Sequence, residues 1–223
     1  MTIPDPIDTD ALQAKRQAIA DTGRKMLDQG LTKGTGGNVS GRIDDEHAVI
    51  SPSGMPYGEI TGDDIPLVNL NAETVDGEYE PSAETPMHTM VYRQRDDVGG
   101  VVHNHSPYAS TFASLSEPIG PSHYLIAFAG DQVPVAPYET YGTAELGSIA
   151  VDTLGDDYNA CLLENHGVLA VGDSIESAFE TALMVEYCAR IHYQALSIGE
   201  PNLLDDDEIE RLTEKFAGYG QQH

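Results

Sequence analysis

Apolar residues recur at two spacings along this chain, and each spacing predicts a kind of element. Between residues 10 and 29, Leu12, Ile19, Met26 and Leu27 mark one helical stripe, and Gly30 is a natural stop. Short apolar runs then predict strands at 39–43, 47–51 and 67–70, before Pro86 opens a helix running to about 95. Residues 98–105 read as a strand, 107–115 as a short helix, 132–136 as another strand and 142–154 as a helix. The runs 160–165 and 168–171 predict a hairpin turning at His166-Gly167, with the glycine supplying positive φ. Asp173, with Glu176 three positions on, predicts the cap of a long helix ending at Gly199. A last helix is expected over 206–216. Helices set around short, partly antiparallel strands make the chain α/β, without the strict alternation of a doubly wound sheet.

Composition narrows this picture. The 223 residues suit one domain with its own core. No run approaches the ~20 apolar residues of a membrane helix, and Met1-Thr2-Ile3-Pro4-Asp5 does not read as a secretory signal. Cys161 and Cys188 lack a disulfide-scaffold spacing and read as small core residues in a reducing, cytoplasmic compartment. Lys and Arg total 11 against 37 Asp and Glu, a net charge of −26, which argues against nucleic-acid and anionic-membrane partners. The acids are dispersed rather than gathered in a tail. That pattern predicts a halophilic protein, since screening shortens repulsion to ~3 Å at 1 M salt.

The candidate chemistry sits at the ends of two apolar runs. His103-Asn104-His105 follows Gly99-Gly100-Val101-Val102, and in a strand positions i and i+2 share a face. His166 closes the run Ala160-Cys161-Leu162-Leu163 a few residues on. A lone histidine is most often a satisfied polar residue. Three converging imidazoles instead make a catalytic metal centre, with one position left open. Zinc is the expected ion, although imidazoles also suit iron, nickel and copper. The nearest acid after the pair is Glu117, too distant for a cupin-like site; the candidate acid is Glu84, upstream in Pro81-Ser82-Ala83-Glu84-Thr85-Pro86-Met87-His88. At a helix mouth Glu84 either favours the macrodipole or acts as a general acid/base beside the metal. His88 shares its helical face and reads as a packing residue rather than a ligand. Gly34-Thr35-Gly36-Gly37-Asn38 is either a plain turn or an anion cradle, with Ser51-Pro52-Ser53-Gly54 and Ser82-Ala83 to complete it.

Taken in order, Gly-Thr-Gly-Gly-Asn-Val-Ser, Ser-Pro-Ser-Gly, Ser-Ala-Glu-Thr-Pro-Met-His, His-Asn-His and Asn-His-Gly resemble the class II aldolase/adducin family over nearly the whole chain. The nearest likeness is to members acting on L-fuculose 1-phosphate. The resemblance implies a three-layer α/β/α single domain with a largely antiparallel central sheet, assembled as a homotetramer with active sites between subunits. It implies zinc on His103, His105 and His166, with Glu84 near or on the metal, and substrate phosphate on Gly37, Asn38, Ser53, Gly54, Ser82 and Ala83. Tyr124 would be a proton donor, Tyr141 a lining residue, and Tyr219 would reach a neighbour's site from the tail 217–223. The implied reaction is reversible cleavage of a phosphorylated ketose to dihydroxyacetone phosphate and a short aldehyde such as L-lactaldehyde, the metal acting as a Lewis acid.

One departure stands out. The family's Ser-Ser-Glu reads Ser82-Ala83-Glu84 here, so a hydroxyl is missing from the implied phosphate cradle. Other readings stay open: a sugar-phosphate epimerase, although those carry Asp in place of Glu84; a methylthioribulose-phosphate dehydratase; an aldolase for a pentulose phosphate or unphosphorylated ketose; and an adducin-like binding module without metal.

Overall fold

The computed structural model describes residues 7–217. Helix α1 (Thr9–Asp28) leads into β1 (Asn38–Arg42), β2 (His47–Ile50), β3 (Leu67–Asn69) and β4 (Thr74–Asp76). Then come α2 (Thr85–Gln94), β5 (Gly100–Asn104), α3 (Pro107–Leu115), a 3-10 turn (Tyr124–Phe128) and β6 (Val135–Ala136). The chain continues with α4 (Ala144–Leu154), β7 (Ala160–Leu163), β8 (Gly167–Gly172), α5 (Ile175–Ile198) and α6 (Asp206–Ala217).

The strands form one eight-stranded sheet in the order β4-β3-β2-β1-β5-β8-β7-β6. Every pairing is antiparallel except β6 with β7. The pleat sorts each strand between two apolar clusters. Val102, Val168, Ala170 and Leu162 join residues of α1, α3 and α5 on one side. Val101, Leu169, Val171 and Leu163 join residues of α2 and α4 on the other. Residues buried on both faces explain why β5, β7 and β8 read as continuous apolar runs rather than as alternation. Each buried Val, Leu or Ile contributes about 1.5–3 kcal/mol of apolar transfer. The outcome is the expected three-layer α/β/α arrangement around a largely antiparallel sheet. Among the described residues no helix is long and apolar enough to cross a membrane.

Two local expectations are corrected. The long helix is capped by Ser174, not Asp173; Ser174 and Ser177 form the reciprocal box, while Asp173 accepts from the Ser177 hydroxyl. In the β7–β8 turn Asn165, not Gly167, takes the left-handed conformation, at φ 54°. Asparagine tolerates that region. Gly167 is needed for space instead: a Cβ there would lie 2.3 Å from the Asn104 carbonyl oxygen and 2.8 Å from His105 Cδ2. Cys161 and Cys188 are buried free thiols, and burial pushes both up to about 12. They are core residues, as expected.

Candidate active site

The pleat decides where the first histidine points. Val101 belongs to the apolar cluster shared with α2 and α4, so His103, two residues on, faces the same side. Asn38 lies opposite His103 across the β1–β5 pair. The N-terminus of α2 arrives over this point, with Glu84 at its N-cap position. His105 falls one residue past the end of β5, its N–H donating to the Leu31 carbonyl at 3.1 Å. His166 comes from the short turn between β7 and β8.

The three imidazoles converge. One ring nitrogen from each lies within 4.8 Å of the others, and the ring centroids are 4.7–5.2 Å apart. His103 is buried while His105 is exposed, so the cluster opens to solvent on one side. His103 Nδ1 donates to the Val168 carbonyl at 2.8 Å, which directs Nε2 into the cluster, 3.0 Å from His105 Nε2. Burial pushes His103 down to about 3 and lowers His105 as well, so both rings are neutral near pH 7.

Glu84 serves this cluster rather than its own helix. It makes no side-chain cap hydrogen bond among the described residues. Its Oε2 lies 3.2 Å from His103 Nε2, its Oε1 lies 3.5 Å from His166 Nε2, and the Asn38 amide donates to Oε2 at 2.8 Å. Oε1 has no hydrogen-bond partner among the described residues. Burial pushes this carboxyl upward; the charge that His103 carries when protonated and the Asn38 amide outweigh it and hold the group below the usual glutamate range. One carboxylate oxygen is thus anchored by Asn38, and the other faces His166 without a hydrogen bond among the described residues.

This donor set fits a divalent metal. Three imidazole nitrogens, one oriented by a backbone carbonyl, are the ligands and supporting contact that such a centre requires. Neighbouring nitrogens of a tetrahedral ion lie about 3.3 Å apart for bonds of about 2.0 Å. The observed 3.0 Å approach is of that order.

The candidate anion cradle is brought into one corner beside Glu84. Ser51 N–H donates to the Val39 carbonyl and Val39 N–H to Ser51 Oγ, joining the glycine-rich loop to the next turn. Pro52 and Pro81 form an antiparallel bridge; Ser53 N–H donates to the Glu80 carbonyl and Ser82 N–H to the Ser51 carbonyl. Ser53, Gly54 and Ala83 are exposed, Ser82 is half-buried, and Gly37 and Gly54 hold φ at 73° and 70°. Asn38 is buried with one amide hydrogen already committed to Glu84. Gly142 packs on Ala83, since a Cβ there would lie 3.2 Å from its carbonyl oxygen, and Tyr141 beside it is 67% exposed.

Tyr124 is placed elsewhere. It opens the 3-10 turn, 49% exposed, with its ring against His123 and Phe216. Tyr219 lies outside the described residues. His88 is a buried packing residue hydrogen-bonded to Ser40, outside the imidazole cluster. The sequence reading missed the Tyr57 hydroxyl, which donates to the Gly37 carbonyl at 2.8 Å and pins the cradle loop. Its signal was faint: Tyr57 closes Ser51-Pro52-Ser53-Gly54-Met55-Pro56-Tyr57, and Gly23 makes room for its ring in the middle of α1.

The chain is similar to known proteins over most of its length. A family model for the Class II Aldolase and Adducin N-terminal domain matches residues 17–193. A Bacillus thuringiensis serovar kurstaki protein named 5-deoxy-D-ribulose 1-phosphate aldolase is 49% identical over 212 residues, covering 95% of this chain and 99% of its own. The L-fuculose phosphate aldolase of Escherichia coli strain K12 is 38% identical over 204 residues, covering 91% and 94%. A solved L-fuculose 1-phosphate aldolase superposes with a TM-score of 0.88 at 41% identity, covering 94% of this chain and 97% of that one. With a family model matching most of the chain and aldolases as its relatives, the protein belongs to the class II aldolase and adducin family and is a class II aldolase, an aldehyde-lyase.

Proposed function

We propose that the protein reversibly cleaves a 1-phosphorylated deoxyketose to dihydroxyacetone phosphate and a short aldehyde. The observation that carries this is the Glu84 carboxylate set 3.2 and 3.5 Å from two of three converging imidazoles, with one oxygen held by Asn38 and the other not hydrogen-bonded among the described residues. The 49% identical relative ranks 5-deoxyribulose 1-phosphate ahead of L-fuculose 1-phosphate. Cleavage between C3 and C4 leaves acetaldehyde from the first and lactaldehyde from the second. His103, His105 and His166 would hold the metal, zinc by our reading, which when bound supplies Lewis-acid polarisation of the ketose carbonyl.

In the synthetic direction the Glu84 carboxylate takes a proton from C3 of dihydroxyacetone phosphate. C3 attacks the aldehyde carbon, and the Tyr124 hydroxyl gives its proton to the aldehyde oxygen, which becomes the C4 hydroxyl. Cleavage runs the same transfers backwards. The Gly37 and Gly54 N–H groups and the Ser53 and Ser82 hydroxyls would receive the phosphate, aided by the second amide hydrogen of Asn38. Tyr124 and the tail Tyr219 would act from a neighbouring subunit of a homotetramer, with Tyr141 lining the aldehyde side.

The test is a product screen: dihydroxyacetone phosphate offered with acetaldehyde, lactaldehyde and longer aldehydes. Condensation fastest with acetaldehyde is expected. Water loss or epimerisation of the ketose phosphate without aldehyde release would overturn the reading. The net charge of −26 makes molar salt the proper medium. Dialysis into low salt is expected to expand the chain, read by small-angle scattering; a size indifferent to salt would remove the halophilic reading.

A further inference from the structure

Strand β1 and helix α2 are joined by a run of polar contacts in the layer between them. Asn38 meets Glu84. Two residues along the strand and four along the helix, Ser40 Oγ lies 2.7 Å from His88 Nδ1 and 2.7 Å from the Tyr92 hydroxyl. Two and four residues further, the Arg42 guanidinium lies 4.9 Å from the Tyr92 ring centre and Arg42 Nη2 donates to the Tyr92 carbonyl. The spacing has a simple origin. Two residues of strand advance about 6.6 Å and four residues of helix about 6.0 Å, so side chains at 38, 40, 42 and 84, 88, 92 keep step over three rungs.

Ser40, His88 and Tyr92 are each 1% exposed. Either Tyr92 donates to Ser40 and Ser40 to His88 Nδ1, or His88 Nδ1–H donates to Ser40 and Ser40 to the Tyr92 hydroxyl. Burying three polar groups in an otherwise apolar face is costly unless they are paired, and apolar residues would pack α2 on β1 without that cost. What the polar rungs add is direction and register. A helix held only by apolar contacts slides and rotates more readily, and a slip of α2 along β1 would carry Glu84 away from Asn38.

We propose that this ladder is a positioning device for the Glu84 carboxylate, with Ser40, His88 and Tyr92 as its positioning residues. The proposal rests on the reading of Glu84 as the group that moves the C3 proton. It assigns work to three residues that lie outside the imidazole cluster and the phosphate corner.

The experiment compares wild type with Ser40→Ala, which removes the central hydroxyl with little change in volume, and with His88→Leu and His88→Asn. The Asn amide takes the place of the imidazole Nδ1, so His88→Asn is the rescue variant. The readouts are solvent proton exchange into dihydroxyacetone phosphate, with kcat and KM separated, metal content, and crystal structures. Ser40→Ala and His88→Leu are expected to lower the exchange kcat about tenfold, as small misplacements do, with KM and metal content unchanged. His88→Asn is expected to recover most of that loss. Loss only in proportion to the folded fraction, or kcat and KM moving together, would overturn the ladder's role. If wild type itself shows no exchange, the reading of Glu84 as the group that moves the C3 proton falls, and the crystal structures still decide the ladder. A Glu84 carboxylate displaced from Asn38 in Ser40→Ala upholds it; the wild-type contact retained there rejects it.

Discussion

Two regions of this molecule are read as moving protons, and they are built differently. Around Glu84 the chain supplies everything: Asn38 anchors one oxygen, His103 and His166 stand beside the carboxylate, and α2 is tied to β1 by polar rungs. Around Tyr124 the chain supplies a platform and little else. The turn is held from behind, by His192 Nδ1 2.8 Å from Ser122 Oγ and by His123 packed edge-on against Tyr187, while Tyr124 itself stands half in solvent. The lesson is a division of labour. On the proposed roles, the group that would act beside a metal is fixed inside one chain, while the group that would meet the aldehyde stands at the surface.

Breaking the metal side should have the largest effect. His103→Ala removes the most buried ligand, and its carbonyl-fixed orientation cannot be supplied by His105 or His166. Loss of Lewis-acid polarisation is worth several kcal/mol, so activity should fall at least about a thousandfold, with bound metal lost on elemental analysis. Next in size is Glu84→Gln, which should retain metal yet lower proton exchange on dihydroxyacetone phosphate by about 10²–10⁴. Exchange that survives would take the base away from Glu84.

Tyr124→Phe sharpens the comparison. It should slow cleavage by about a hundredfold while sparing exchange, because the exchange half-reaction does not need the aldehyde-side proton. Equal loss of both would merge the two regions into one. The smallest effect belongs to Ala83→Ser, which restores a hydroxyl to the phosphate corner. A hydrogen bond to a charged group contributes about 1.5–3 kcal/mol, so KM for a phosphorylated ketose should fall about tenfold with kcat little changed. An unaltered KM would mean that Ala83 lies outside phosphate contact.

Most elements were legible because apolar runs and helical stripes are local signals. Residues 107–115 were bounded as α3 proved to be, and the limits of α1, α2, β1 and β2 moved by a residue or so. The misses share a cause. Strand β4 is Thr-Val-Asp, half-buried throughout and paired only with β3, so its sequence carries no alternation. The 3-10 turn over Tyr124–Phe128 follows a stretch of Pro, Gly and Ser whose path is set by α5 and α6 packed over it. Asp173 and Ser174 are both competent caps, and the choice between them depends on where Gly172 leaves the sheet. In the site, the histidines announced themselves by spacing, but the partners that aim them did not. Val168, which orients His103, offers only a carbonyl; Ser40, which holds His88, and Tyr57, which pins the cradle loop, are common residue types.

By itself the sequence determined the donors: which imidazoles and which carboxylate are available, the glycines that let backbone approach backbone, and a strongly acidic charge balance. These follow from side-chain chemistry and from periods of 2.0 and 3.6, which any stretch of chain carries locally. Only the tertiary structure decided that strand position 38 stands opposite 103, that α2 lays its N-terminus over that pair, and that the turn at 166 closes on the same point. Those are pairings between segments 19 or more residues apart, fixed by how both faces of the sheet are covered. No local pattern encodes such distances, because the burial that enforces them exists only once the layers have met.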